Sequence, residues 1–90
     1  MTVYLFPFSG EEGSDLTRYE ALEVANAAGF MVAETEALRE HPEVPLTWAR
    51  RDELLESIGY RRTGPWVPQG DDESRFQATV EPVPGHNSRP

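Results

Sequence analysis

The 90-residue sequence contains no cysteine. That excludes disulfides, thiol nucleophiles and Cys-ligated zinc or iron–sulfur centres. It contains no lysine either, and all eight basic residues are arginine, which removes Schiff-base chemistry and the lysine of a P-loop. Apolar runs are short; Val3 to Phe6 is typical, far below the ~20 residues a membrane-spanning helix needs. No basic start followed by an apolar stretch marks a secretory signal. Only two histidines occur, His41 beside a proline and His86 near the end, and neither has a companion at metal-ligand spacing. HExxH, nucleophile-elbow and GxGxxG patterns are all missing. The expectation is therefore a chain with no metal, no cofactor and no catalytic role. Paired carboxylates far apart in sequence are the one arrangement such a reading does not detect.

What is present is an ordinary globular composition, 38% hydrophobic and 27% charged, enough for a single domain with one modest core. A cysteine-free chain without a targeting pattern suits the cytoplasm. Eight Arg, eight Ala, eight Pro and seven Gly stand against two Asn and one Ile, the signature of GC-rich codons and hence of a high-GC bacterial or phage genome.

The formal charge is −8, and it is unevenly spread. Residues 1–46 hold nine acids and two arginines, whereas residues 47–66 hold four arginines, Arg50, Arg51, Arg61 and Arg62, against three acids. The same window contains Trp48, Tyr60 and Trp66. Trp, Tyr and Arg are the residues enriched at interface hot spots. Trp48, Arg50, Arg51, Tyr60, Arg61, Arg62 and Trp66 are accordingly the candidate partner-binding residues. The competing reading is a solvated helix face whose Arg stems cover apolar surface.

Along the chain, β-branched and aromatic content makes residues 2–8 a strand, with Val3 and Leu5 on one face, Tyr4, Phe6 and Phe8 on the other, and Pro7 at an edge or near the strand end. The Tyr4/Phe6/Phe8 stripe reads as core rather than a stacking platform. Residues 9–14 form a polar loop. Thr17 to Glu20 fits a capping box, followed by a helix to about Ala28 that Gly29 ends, with Glu20 and Glu23 on its solvated side. Phe30 to Val32 is a short strand or connection. Ala33 to Glu40 is a short helix closed by His41-Pro42. A second strong helix runs from Thr47 to about Ile58, ended by Gly59, with Trp48, Leu54, Leu55 and Ile58 inward and Arg50, Glu53 and Glu56 outward. Tyr60 to Val67 is a strand interrupted at Gly64-Pro65. Residues 68–74 form a turn, in which Asp71-Asp72-Glu73 lacks the spacing of a calcium loop. Residues 75–81 alternate as a strand with Phe76, Ala78 and Val80 inward.

This order predicts an α+β domain over residues 1–81, winged-helix-like: three helices, then a C-terminal β-hairpin, with an additional N-terminal strand. Residues 82–90 read as a flexible Pro-rich tail. The alternative is a βαβαββ mixed sheet with two helices on one face. Two functions follow. The first is a small acidic protein-interaction module, a regulator or inhibitor that occupies a partner protein, with nucleic-acid mimicry as a subtype. The second is a winged-helix DNA-binding protein using Arg50, Arg51 and the 60–81 hairpin. The negative field favours the first, because phosphate neutralisation supplies most affinity for DNA.

Overall fold

A computed structural model describes residues 1–8, 19–41 and 43–83, apart from the side chains of 72–74. Six strands and one helix follow in the order β1 (Thr2–Phe8), β2 (Tyr19–Ala25), β3 (Met31–Leu38), α1 (Trp48–Ser57), β4 (Tyr60–Arg62), β5 (Val67–Gln69) and β6 (Asp72–Pro82). All described pairings are antiparallel. The strand order is β3-β2-β1-β6-β4, with β5 also paired to β6. A flat sheet of this width would separate β3 from β4 by roughly 19 Å at normal strand spacing. Yet α1 packs against both of these outer strands, because the sheet curls around it as a half-barrel.

The winged-helix expectation is overturned, and so is the βαβαββ alternative: the described residues contain one helix and an all-antiparallel sheet. The segment assigned to a first helix is β2, and the segments assigned to a short strand and a second helix are largely β3. In both, Ala and Glu favour a helix locally, but cross-strand pairing and burial decide. In β3 the period is two: Ala33, Thr35 and Ala37 are half-buried while Glu34, Glu36 and Leu38 are exposed. In β2 the alternation is Glu20, Leu22 and Val24 on the core face, so a buried carboxylate disguises it. Gly29 does take the left-handed conformation (φ 88°), but in the β2–β3 turn. There Asn26 Oδ1 accepts from the amides of Ala28 and Phe30 at 2.9 and 3.0 Å, the local bonding that suits asparagine to turns. The polar loop and the Thr17 cap fall outside the described residues, as does most of the tail.

Other elements match their sequence patterns. Thr47 caps α1, its hydroxyl accepting from Arg50 N at 3.1 Å, and Gly59 leaves the helix with φ 93°. The strand expected over Tyr60 to Val67 is broken around Gly64-Pro65 into β4 and β5. The turn expected over 68–74 is shorter than that, because β5 runs on to Gln69 and β6 begins at Asp72, which leaves Gly70 (φ 57°) and Asp71 to make it. Pairing of β1 with β6 ends at Leu5, so Pro7 sits beyond it, where β2 is the one strand paired with it among the described residues. The core is formed by Val3, Leu5, Leu22, Val24, Ala78 and Val80 from the sheet and Leu54 and Leu55 from the helix. The Tyr4/Phe6/Phe8 stripe is not part of it; those rings lie half-buried on the opposite face.

The helix stripe facing the sheet runs Arg51, Leu54, Leu55 and Ile58, the i, i+3, i+4, i+7 spacing of a core-facing helix. Its first position is a buried guanidinium, which requires a partner. That partner is Glu20 of β2, 2% exposed, whose Oε1 accepts from Arg51 Nε at 2.6 Å. Its Oε2 accepts from Arg39 Nε at 2.7 Å and from the Leu46 amide at 2.8 Å. Glu20 is therefore not on a solvated edge; it holds β2, the segment after β3 and the helix together. Removing one partner of such a buried group leaves uncompensated charge, at a cost of about 3–5 kcal/mol. Glu20→Ala is expected to lower the unfolding free energy by that order, read as a shift in the denaturant midpoint at unchanged slope.

Candidate functional site

The sequence window rich in Arg and Trp does not form a free cationic surface. Arg50 pairs with Glu53 at 3.4 Å and Arg61 with Glu81 at 3.3 Å, both exposed. Arg51 is buried on Glu20, with its guanidinium carbon 4.3 Å from the centre of the Trp48 ring. Arg62 grips Asp52 with two bonds, Nε to Oδ1 at 2.8 Å and Nη2 to Oδ2 at 2.9 Å, and donates to the Gly64 carbonyl at 2.9 Å. The Trp66 indole N–H also donates to Asp52 Oδ1, at 3.2 Å. Trp48 lies edge-on to Phe76 (5.0 Å, 84°) and 5.8 Å from Trp66. The structure thus brings together Trp48, Arg51, Arg62 and Trp66, while Arg50 and Arg61 stand apart and Tyr60 packs against the core. Trp48 nevertheless keeps 43% of its surface exposed.

Adjacent helix residues serve two sides of this arrangement. Arg51 reaches Glu20 in β2, and Asp52 receives Arg62 of β4 together with Trp66. The Arg62 hydrogen bond holds the Asp52 carboxyl below its usual range, helped by Trp66 and opposed by partial burial. For Glu20 burial pushes upward most strongly, but the hydrogen bonds from Arg51, Leu46 N and Arg39 together bring it below the usual glutamate range.

The sheet face turned away from the helix carries a second feature, which sequence reading missed. The β1–β2 and β2–β3 registers put Tyr4, Phe6 and Phe8 on one surface with Tyr19, Ala21 and Glu23 and with Glu34 and Glu36. Phe8 stacks on Tyr19 at 5.3 Å and lies 6.4 Å from Phe6. A cavity of about 710 Å³ opens here, lined by Phe6, Phe8, Ala21, Glu23, Thr35 and the two β3 glutamates. Across the strands Glu23 sits directly opposite Glu34, a like-charge pair that costs stability. Among the described residues no ion pair involves Glu23, Glu34 or Glu36, and these carboxylates do not converge into a metal-binding group. Toward β6 the same face carries Arg75, 5.9 Å from the centre of Phe6, and the Arg61–Glu81 pair. The face is therefore polarised: cations engaged at one side, carboxylates with no described counter-charge at the other. The period-2 alternation of Glu34, Glu36 and Leu38 was the signal that could have revealed it.

The chain matches no family model, no curated protein and no solved structure. Among the described residues no helix is long and apolar enough to cross a membrane.

Two outcomes test these electrostatics. Glu20 and Asp52 are both depressed in the folded state, so on acidification the unfolded chain takes up their protons first. Stability should hold down to the ordinary carboxylate range and then fall as pH drops through the depressed native values. Urea denaturation across a pH series checks this, and Glu20→Gln should remove the Glu20 part of the slope. Separately, Glu34→Lys turns the Glu23–Glu34 repulsion into attraction and should raise stability by about 0.2–1 kcal/mol, measured by the same denaturation.

Proposed function

We propose that this protein is a small acidic interaction module, a regulator or inhibitor that works by binding a partner protein through a cationic surface of that partner. One observation carries the reading: an open sheet face where half-buried aromatic rings border carboxylates with no described counter-charge. Aromatic rings supply contact area at low entropic cost. Carboxylates without a described counter-charge, in a molecule of net charge −8, steer a basic partner and repel an acidic one. The Glu23–Glu34 juxtaposition fits such a role, because proteins break local rules mainly where function requires it. A cytoplasmic setting goes with this reading.

DNA binding in its winged-helix form is withdrawn with that fold. A second contact region around Trp48 is favoured by one observation, the 43% exposure of that residue at the start of α1.

The test is affinity capture by the immobilised protein from a bacterial extract at low ionic strength. A basic protein should be retained, released as salt rises, and lost when Glu23, Glu34 and Glu36 are all changed to Gln. The Arg50→Gln/Arg61→Gln variant should retain it. Salt-independent capture that survives the triple change overturns the reading. So does a shift of duplex DNA abolished by the two Arg changes.

A further inference from the structure

The two outer edges of the sheet differ. One consists of β4 and β5, three residues each, interrupted at Gly64-Pro65 and containing Pro68, the short and broken form by which sheets protect an edge. The other is β3, eight residues without proline or a basic side chain. Its inner side pairs with β2, with an irregularity only near its start, and among the described residues no strand pairs with its outer side. Exposed apolar residues cluster at its ends: Phe30 (70%), Met31, Val32 and Leu38. A long edge with no described strand on its outer side is a template for one more strand.

Charge identifies the occupant. A second copy pairing antiparallel about Thr35 would set Glu34 against Glu36 of its neighbour on both sides of the centre, like charges directly opposite. An incoming strand with Lys or Arg at every second position meets the reverse. Its cations would lie beside Glu34 and Glu36, with Glu23 one strand behind, while its alternate residues would lie beside Ala33, Thr35 and Ala37. We propose that β3 accepts an extended segment of a partner protein, basic at alternate positions, as an added strand of the sheet. This rests on the acidic-module reading and supplies its mode of contact.

The experiment titrates the ¹⁵N-labelled full chain with an eight-residue peptide of alternating threonine and lysine, and with the same peptide N-methylated along its backbone. N-methylation keeps every charge but removes the donors needed for strand pairing. The unmodified peptide should shift amides of residues 31–38, and the N-methylated one should bind about tenfold more weakly or worse. Glu34→Lys/Glu36→Lys, two exposed changes, should abolish the effect. Equal affinity for both peptides overturns strand addition while leaving the cationic-partner reading standing. No binding of either peptide defeats both. Concentration-dependent dimerisation through β3, seen by sedimentation, assigns the edge to a second copy and overturns the proposal.

Discussion

The structure depends on one buried carboxylate. Glu20 lies in the second strand, yet its oxygens are shared among the helix through Arg51, the segment leaving the third strand through Arg39, and the backbone before the helix through Leu46. The helix is only ten residues long, and a helix of that length has little stability of its own. Leucines 54 and 55 supply apolar contact with the sheet, but apolar contact is non-directional. Charge-assisted bonds to Glu20 provide orientation, and the Asp52–Arg62 pair provides it again on the other side. A core this small gains definition from such contacts that extra apolar area would not supply.

The same carboxylate explains much of what could and could not be read from the sequence. The strands at 2–8 and 75–81 and the helix at 47–58 were legible because their apolar periodicity, the Thr47 cap and Gly59 agree. The segment 19–25 was not. With Glu20 assumed to face water, the remaining Ala, Leu and Val positions fit a helical face, and the Thr17-to-Glu20 spacing reinforced that choice. Only partners far along the chain, Arg39 and Arg51, make an inward glutamate tolerable, and such non-local pairing leaves no trace in a local window. Segment 33–40 misled differently. Its alternation is clear, but its side chains are alanine and glutamate, whose helical preference outweighed the pattern. The three-helix topology followed from these two errors together.

The arginine-rich window shows how far composition predicts surface chemistry. Clustering in sequence placed Arg51 and Arg62 near tryptophans, and the structure keeps them there. Their charges are spent inside the molecule on Glu20 and Asp52. The acids are in surplus, so internal pairing consumes cations and leaves anions outside. Where the remaining carboxylates meet the aromatic stripe of the first strand, net charge becomes a local property of one face. That face was hidden in the sequence because its parts come from three strands, whose registers bring together residues as distant as Phe6 and Glu36.

Arg51 and Asp52 are consecutive, and each holds a different wall of the molecule. Successive residues on a helix diverge by about 100°, so the two side chains leave the axis in different directions, one to Glu20 in β2 and one to Arg62 in β4. The helix is thereby keyed in rotation and in translation at a single peptide bond. A single residue inserted between the two would turn one anchor away from its wall. The spacing across that bond is thereby fixed by two ion pairs that lie on different strands.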